Sequence, residues 1–347
     1  MTSKPEWAVS VSPHIRKGTT TAQIMWTVSA SLMPVLILSI YNFGFRSLII
    51  TLVSVLSCVV VEAISQKAMG RSVTVTDGSA VLTGILLAFV IPPGVPYYLP
   101  MIGAIAAMFI TKELMGGLGY NVWNPALVGR ALLQASFPVA ITTAWIPPQQ
   151  LSKGVWDVFL GSGALDAIST ATPLAVVKQY GMKALVQQFG GIDTIYWNFF
   201  VGFKPGCIGE TSALLILLGG LFLMSRKIIT WHIPVSTLGS AALIAWIFGG
   251  ETWFSGNPLV HVLSGGLMLG AFYMATDYVT SPTLKSAQLL FGFGVGGLTV
   301  LIRLKGGYPE GVCYAILLMN CLTPALDEWF QPKRFAPPKA APVAAVK

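Results

Sequence analysis

Charged residues are scarce in this sequence. Only 10% of its 347 residues are charged and 54% are hydrophobic, whereas soluble domains carry about 25% charged residues. The mean hydropathy is +0.72. This composition excludes an ordinary soluble domain and predicts a polytopic membrane protein surrounded by membrane lipid.

A basic stripe is also missing, although the formal net charge is +8. Lys and Arg residues stand in short hydrophilic gaps between apolar runs, where they act as topology signals. Nucleic-acid binding needs such residues clustered on one face. The sequence therefore implies no nucleic-acid partner.

The sequence lacks metal, disulfide and nucleotide motifs. Its four cysteines have no Cys-x-x-Cys or Cys/His spacing, which argues against a zinc site, an iron–sulfur cluster and a disulfide framework. We predict that they are apolar packing residues. There is no Walker loop and no Ser/His/Asp constellation. The glycines of residues 291–297 follow an apolar helix, which predicts close helix approach there. The cysteines are Cys58, Cys207, Cys313 and Cys321.

Long apolar runs dominate what is present. A helix needs about 20 apolar residues to cross a bilayer, and fewer if it is broken or buried among neighbours. By this measure the chain has ten candidate transmembrane helices, so we predict an all-α polytopic fold. The candidates are residues 24–41, 46–66, 78–91, 97–111, 125–137, 212–224, 232–248, 259–276, 287–303 and 309–322.

The distribution of Lys and Arg predicts the orientation. With the N-terminus in the cytoplasm most of these residues lie on the cytoplasmic side, as the positive-inside rule requires. Both termini are then cytoplasmic, and no cleaved signal peptide is expected because residues 1–23 are polar and no small-residue cleavage site follows. The predicted parts are a cytoplasmic segment 1–23, a membrane half 24–138 with helices 1–5, an external loop 139–209, a membrane half 210–323 with helices 6–10, and a cytoplasmic tail 324–347.

A short internal repeat relates the two halves. Residues 79–82 (SAVL) recur as 212–215 (SALL), and the Asn-Pro pair at 124–125 recurs at 257–258, both with an offset of 133 positions. Each matched pair is an odd number of crossings apart, which predicts two inverted-topology halves. In folds of this kind ligands bind between the halves at broken helices. Helix breaks are predicted at Asp77, Asn124 and Asn257, and the first two also stand at helix starts, where an N-cap belongs.

Ionisable residues near membrane depth are functional candidates, because an unpaired charge in hydrocarbon is costly. Most of them stand at predicted helix ends, where the alternative reading is a cap or an interfacial anchor. Arg130 differs, because it falls inside the fifth helix and must face a carboxylate, a phosphate or water. Pairing with Glu113 and contact with a ligand both remain open for it. The full set is Glu62, Asp77, Lys112, Glu113, Arg130, Glu210, His232, His261 and Asp277.

The stretch 166–174 (DAISTATPL) is a hydroxyl-dense part of the long loop. Three hydroxyls, one carboxylate and a proline make a poor helix interior and a poor strand, so we predict an accessible surface turn. Pro173 restricts the residue before it, Thr172. The alternative is a Ser/Thr-rich turn that merely caps a helix over residues 173–183.

The same stretch resembles the flavinylation motif of the NqrB/RnfD family. The pattern Asp-x-x-Ser/Thr-Gly/Ser/Thr-Ala-Thr is read here as Asp166, Ser169, Thr170, Ala171 and Thr172. Three further blocks resemble RnfD in the same order, namely residues 121–126 (NVWNPA), 208–212 (IGETS) and 274–277 (MATD). The resemblance covers about residues 15–330.

Two positions depart from the family pattern. Thr170 stands where glycine is common, and Tyr278 stands where proline is expected. Neither departure removes the hydroxyl of Thr172. The length and the short N-terminus favour RnfD over NqrB within the family.

The resemblance implies two cofactors. FMN would be attached through a phosphoester to Thr172 by a dedicated flavin transferase, with Asp166, Ser169, Thr170, Ala171 and Pro173 forming the surrounding turn. Asp166 would order the loop or position a metal–FMN donor, with a plain Asx turn as the alternative. A noncovalent riboflavin is also implied, and we place it at the repeat interface near Asn124 and Asn257, with Arg130 as a candidate contact.

The resemblance further implies the RnfD component of an Rnf complex in the bacterial cytoplasmic membrane. Such a component relays electrons through FMN and couples this to Na⁺ or H⁺ translocation between ferredoxin and NAD. It is not catalytic alone, and its implied partners are RnfA, RnfB, RnfC, RnfE and especially RnfG. An NqrB-like component of a quinone reductase and a non-redox transporter or channel with inverted repeats are the alternatives.

Overall fold

The computed structural model describes residues 18, 20–148, 171–250 and 252–331. Within these residues the chain forms fourteen helices and no strand. The all-α prediction is therefore confirmed for the described part of the chain. Asp166, Ser169 and Thr170 lie outside the described residues.

Six helices precede the long connection, and eight follow it. The first six are α1 (Thr21–Phe43), α2 (Phe45–Ala68), α3 (Ser79–Phe89), α4 (Tyr98–Ile105, continued as a π-helix over Ala106–Glu113), α5 (Pro125–Ser136) and α6 (Pro138–Thr143). The others are α7 (Pro173–Phe189), α8 (Ile192–Val201), α9 (Ala213–Ser225), α10 (His232–Phe248), α11 (Pro258–Leu263), α12 (Leu267–Leu269, continued as a π-helix over Gly270–Met274), α13 (Lys285–Lys305) and α14 (Val312–Trp329).

In the part of the chain that the structure describes, three helices are long and apolar enough to cross a membrane. These are α1, α2 and α13, while α3, α9 and α10 are apolar but shorter. All six fall on predicted spans. Their length and composition agree with a membrane protein, because a spanning helix satisfies its backbone hydrogen bonds internally.

One predicted span is broken, and another is short. The span predicted over residues 259–276 divides into α11 and α12 at Gly265, whose φ of +68° favours glycine. The span predicted over residues 78–91 is a helix of only 11 residues, and Pro92 and Pro93 follow it. Half-length helices of this kind leave backbone carbonyl groups at their ends, and these groups need polar partners inside the protein.

Side-chain caps stabilise the starts of α5, α9 and α11. The Oδ1 atom of Asn124 accepts from the amide of Ala126 at 3.1 Å, and Asn257 and Ser212 cap α11 and α9 in the same way. Proline follows both asparagines at the first helical position, where its missing N–H costs nothing. The N-cap predicted at Asn124 is confirmed, and Asn257, predicted only as a break, also caps a helix. At the third predicted break Gly78 rather than Asp77 holds the N-cap position of α3.

Glycines allow α13 to lie directly against α10. A Cβ atom on Gly292 would approach the carbonyl oxygen of Ile233 to 2.8 Å, and one on Gly296 would overlap the carbonyl oxygen of Thr237. Since backbone atoms line this contact, larger side chains cannot be accommodated by rotamer changes. The predicted role of the glycine stretch in close helix packing is confirmed.

A small apolar cluster fixes the two helices after the long connection. Val176 and Leu185 of α7, Ile195 and Phe199 of α8, and Val260 of α11 pack together. This cluster attaches α7 to the broken helix pair α11–α12. As a result, the start of α7 lies at the break between those two helices.

Candidate functional site

Thr172 is the N-cap of α7. Its backbone is extended (φ −65°, ψ 150°), and its Oγ1 atom accepts from the amide of Ala175 at 3.3 Å. Pro173 occupies the first helical position. The extended backbone predicted for Thr172 from the following Pro173 is therefore present. The alternative prediction, a Ser/Thr-rich turn that caps the following helix, also describes what Thr172 does.

The exposure of Thr172 differs from the prediction of an accessible turn. Only 4% of this residue is exposed, while Ala171 before it is exposed and Pro173 after it is buried. The hydroxyl is buried because it faces the first turn of α7, which it caps. Modification of this oxygen therefore requires the turn to open, or takes place before the turn packs.

The turn rests on Gly265 at the break between α11 and α12. A Cβ atom on Gly265 would lie 2.9 Å from Cδ1 of Leu174, 2.8 Å from Nη2 of Arg303 and 2.7 Å from Oε1 of Glu310. Because Gly265 has no side chain, Leu174, Arg303 and Glu310 can all approach its backbone. The Thr172 turn is in this way packed onto a buried group of charges.

Arg130 belongs to that buried group. Its Nη2 atom lies 3.0 Å from Oε2 of Glu310, and its Nη1 atom donates to the carbonyl of Val90 just after α3. Only 5% of Arg130 is exposed. The prediction that Arg130 faces a carboxylate, a phosphate or water in the bundle interior is confirmed, and of the possibilities left open the structure shows a carboxylate, that of Glu310 rather than that of Glu113.

Glu113 lies in a separate polar cluster with Arg71, whose Nη1 atom is 3.6 Å from Oε2 of Glu113. In the same cluster Lys112 donates to Glu62, and its Nζ atom also lies 2.6 Å from Oγ of Ser79. Glu62, Lys112 and Glu113 are all buried. For these three the reading as caps or interfacial anchors is wrong, because they belong to one polar cluster inside the bundle.

Lys204 and Arg303 neutralise the end of the half-helix α11. Lys204 donates to the carbonyl of Leu263, and Arg303 donates to the carbonyls of His261 and Ser264. These carbonyl groups are the unpaired ones at the helix C-terminus, where cations are favoured. Lys204 lies in the connection between α8 and α9, and burial lowers the pKa of its ammonium to about 8.

The carboxyl groups of Glu210 and Glu310 complete the buried group of charges. Glu210 lies in a short 3₁₀ turn before α9, and its Oε2 atom accepts from the amide of Cys207 at 3.4 Å. Burial, and then the charge of Glu310, raises the pKa of Glu210 to about 8. Cys207 is buried as predicted but contacts Arg130 at 3.5 Å, so its surroundings are polar rather than apolar.

A cleft opens at the other end of the bundle. It encloses about 800 Å³ including its mouth and is lined by the start of α1, the start of α3, Lys112, Asn121, Asn124 and residues 272–279. Phe272, Tyr273 and Tyr278 provide aromatic surface, while Asn121 and Asp277 provide polar groups. Asn124 lines this cleft as predicted, whereas Asn257 caps α11 and does not line it.

The side chain of Asn124 is largely used by the fold. Besides capping α5, its Nδ2 atom donates to the carbonyl of Met274 at 3.3 Å. This contact joins the start of α5 to the π-helix after α12. Asn124 therefore holds the cleft wall in place and keeps little hydrogen-bonding capacity for a ligand.

The cleft and the Thr172 turn lie at opposite ends of the helices. Ile24 at the start of α1 lines the cleft, while Asn42 at the end of α1 donates to the carbonyl of Gly202 near the buried charges. A helix of 23 residues is about 34 Å long. The two candidate sites are therefore separated by about the thickness of a membrane.

Sequence reasoning missed Lys204, Arg303 and Glu310 as members of the buried group. Each stands in or beside a hydrophilic gap, where a charge is normally solvated. The available signal was the group Ser264, Gly265 and Gly266 inside the span predicted over residues 259–276, since glycine within an apolar run indicates close approach of other groups.

Comparison with known proteins agrees with this architecture. A model of the NQR2, RnfD, RnfE family matches residues 8–336. The chain is 45% identical over 330 residues to the D subunit of the proton-translocating ferredoxin:NAD(+) oxidoreductase complex of Clostridium ljungdahlii, and the match covers 95% of this chain and 96% of that protein. It is 42% identical over 325 residues to the D subunit of the Na(+)-translocating ferredoxin:NAD(+) oxidoreductase complex of Acetobacterium woodii, and 92% of each chain is covered.

A third relative is the D subunit of the ion-translocating oxidoreductase complex of Alcanivorax borkumensis. It is 38% identical over 332 residues, with 94% of this chain and 96% of that protein covered. These matches extend over both groups of helices and the connection between them. The chain belongs to the NQR2, RnfD, RnfE family.

Proposed function

We propose that this protein is the RnfD component of an ion-translocating ferredoxin:NAD⁺ oxidoreductase complex of the Rnf type. The proposal rests on the similarity, over more than nine-tenths of the chain, to relatives that are named as this component. On this proposal the protein acts within an oxidoreductase and is not catalytic alone. Its partners are the other Rnf subunits (RnfA, RnfB, RnfC, RnfE and RnfG), and RnfG is the proposed neighbour in electron transfer.

The proposed carrier on the outer face is FMN, joined by a phosphoester to Thr172. Thr172 fits this role because it supplies a hydroxyl at a helix N-terminus, where a phosphate charge is stabilised by the free amides and the helix dipole. Asp166, Ser169 and Thr170 would form the preceding part of the turn. A space of about 490 Å³ including its mouth lies beside Leu174, and Lys178, His261 and Arg303 line it.

The proposed second cofactor is a noncovalent riboflavin in the cleft near Asn124. Aromatic side chains such as Tyr273 and Tyr278 suit a flat ring system, and Asn121 and Asp277 suit its polar edge. Ligand pockets typically combine such apolar walls with a few polar groups. Arg130 lies outside this cleft, so we assign it no contact with riboflavin.

The proposed topology has ten membrane crossings in two inverted halves, with both termini in the cytoplasm. The connection that carries Thr172 then lies on the outer face of the bacterial inner membrane, and the cleft opens toward the cytoplasm. Broken helices between the halves suit coupling of electron transfer to Na⁺ or H⁺ movement. The flavins supply redox chemistry when bound, and the protein supplies position and electrostatics.

Denaturing gel electrophoresis tests the flavin assignment. The protein, expressed together with its flavin transferase, should give a fluorescent band, because a phosphoester survives denaturation. Thr172→Ala should abolish this band, because no hydroxyl remains at the position. Thr143→Ala is the matched control, since Thr143 is an exposed threonine at the end of α6.

Two results would contradict the proposal. A fluorescent band in Thr172→Ala would move the attachment to another residue. No band in the parent protein would remove the covalent flavin and favour a transporter or channel without redox function. Co-purification of the other subunits distinguishes an Rnf complex from a quinone-reductase assembly.

A further inference from the structure

Two buried carboxyl groups lie beneath the Thr172 turn, and the proposed electron relay gives them no role. A side-chain oxygen of Glu210 and one of Glu310 lie within 4.8 Å of each other. Glu210 is only 3% exposed, and its Oε1 atom has no hydrogen-bond partner among the described residues. Two carboxylates this close cannot both ionise in a dry site without compensation.

Nearby cations compensate the two carboxyl groups unequally. Arg130, Lys204 and Arg303 are the basic residues of this group, but each also donates to backbone carbonyls. Those carbonyl groups belong to Val90, just after α3, and to the last turn of α11. Each helix C-terminus carries about half a negative charge. Over the whole group the three cations just match the two helix ends and the two carboxylates, but the match is not local. Glu310 is paired with Arg130, whereas no basic residue in the described part of the chain forms an ion pair or a hydrogen bond with Glu210, which accepts only from the amide of Cys207. The carboxyl of Glu210 therefore has a place for one proton.

A metal ion suits this site less well than a proton. Cys207 lies within the same 4.8 Å grouping and would be the third ligand. However, the guanidinium of Arg130 lies 3.5 Å from Sγ of Cys207 and 3.0 Å from Oε2 of Glu310. A fixed positive charge on two of the three ligands would repel a metal cation.

We propose that Glu210 and Glu310 share one exchangeable proton, and that this proton balances charge arriving on the flavin-bearing turn. The proton is bound as an O–H group on one carboxyl oxygen, is taken from water and returns to water. No electron passes through the pair. The proton site itself is independent of the flavin, whereas the coupling rests on the proposed attachment of FMN to Thr172.

The coupling follows the packing around Gly265. Leu174, two residues after Thr172, and Oε1 of Glu310 both lie against this glycine. The buried side chain of Leu174 thus lies between the turn and the carboxyl pair. Apolar packing screens charge poorly, so a negative charge added at the turn acts on the pair. Such a charge favours the protonated form of the pair.

Infrared difference spectroscopy of the intact complex tests the proton site. Spectra recorded between acid and alkaline pH, without any redox change, should show the C=O band of a protonated carboxylic acid, and this band should shift in D₂O. Glu210→Gln and Glu310→Gln should each remove the band. Glu310→Asp should retain it at a shifted position, which covers the case in which a Gln variant does not fold. Glu328→Gln, at an exposed position of α14, is the control and should leave the band unchanged.

Redox titration tests the coupling. In the parent the midpoint potential of the covalent flavin should fall as pH rises, because reduction is accompanied by proton uptake. The limiting slope corresponds to a tenfold change in the equilibrium constant per pH unit, or about 59 mV for one electron. The flavin ring also takes up protons of its own on reduction, so the contribution of the pair is read as a difference: over the pH range in which the carboxylic acid band of the parent titrates, both Gln variants should show a smaller slope than the parent, while their fluorescent gel band remains.

Three outcomes would overturn the inference in separable ways. An unchanged carboxylic acid band in both Gln variants removes the proton site. A band that responds to Na⁺ at constant pH replaces the proton by a sodium ion. An unaltered potential slope in variants that have lost the band removes only the coupling. Absence of the fluorescent band in the parent would contradict the proposed flavin, while the pH-difference spectra would still decide the carboxyl pair.

Discussion

Arg130 shows how a single buried charge joins distant parts of the chain. It links the end of α3, through the carbonyl of Val90, to Glu310 before α14. These residues are far apart in sequence, and both side chains of the ion pair are nearly inaccessible. Burying a charged pair has a large desolvation cost, so loss of one partner is more damaging than loss of both.

We expect Arg130→Met to destabilise the protein by about 3 kcal/mol or more, because it leaves Glu310 buried without its partner. The measurement is the apparent melting temperature of the purified protein in detergent. The double variant Arg130→Met/Glu310→Met should recover part of the loss. Arg226→Gln is the control, since Arg226 is exposed at the end of α9. A double variant that is less stable than the single one would contradict this account.

For single residues, the sequence predicted that a buried charge needs a polar partner, but it did not always identify that partner. An arginine inside an apolar run requires a carboxylate, a phosphate or water, and this reasoning identified Arg130 correctly. The pairing with Glu113 and the contact with a ligand stayed open at that point, and neither is the contact in the structure, where Glu310 is the partner. Partner identity depends on how helices pack, which one sequence does not contain. Glu62 and Lys112 were missed as a pair for the same reason, since they are 50 positions apart.

Among the elements, the contact of α10 with α13 was the most predictable. A run of glycines in an apolar segment indicates close approach of helix backbones. Capping residues were equally informative, because an asparagine before proline satisfies the free amides of a helix start in a manner that depends only on local sequence. The break at Gly265 was less predictable, since the interruption by Ser264, Gly265 and Gly266 is short and the apolar residues on both sides of it fit one continuous span.

We expect Gly296→Ala to weaken the α10–α13 contact, with a loss of about 1–3 kcal/mol, because the added methyl group would overlap backbone atoms of α10. Gly239→Ala is the matched control on the opposing helix, since nothing lies within 4 Å of its added Cβ atom. Alanine there should raise stability by up to about 1 kcal/mol through its higher helix propensity. Melting temperatures in detergent compare the two, and equal effects would argue against backbone contact at Gly296.

At the scale of the whole molecule, the two candidate sites lie at opposite ends of the helices. The orientation of the chain in the membrane therefore decides which site faces the cytoplasm. The cleft lies near the start of α1, and the Thr172 turn lies near the end of α13. Composition and hydropathy predicted the membrane class, since apolar content alone decides it. The clefts could not be predicted, because their walls come from several separate segments of the chain.

Cysteine labelling with a membrane-impermeant thiol reagent tests the orientation. Cys58, Cys207 and Cys313 are buried and Cys321 is exposed, so Cys321→Ser gives a background with little reactivity. On this background Thr143→Cys, at the end of α6, should be labelled in intact cells. Gln331→Cys, just after α14, should be labelled only after the membrane is permeabilised.

The two positions provide controls for each other because both are exposed in the structure. The reverse pattern would place Thr172 on the cytoplasmic side, where a flavin could react directly with cytoplasmic donors. The expected pattern instead separates the Thr172 turn from the cytoplasm by the length of the helices. Electrons could then reach this turn only through another carrier, and the charge they bring would arrive beside Glu210 and Glu310, on the outer side of the membrane.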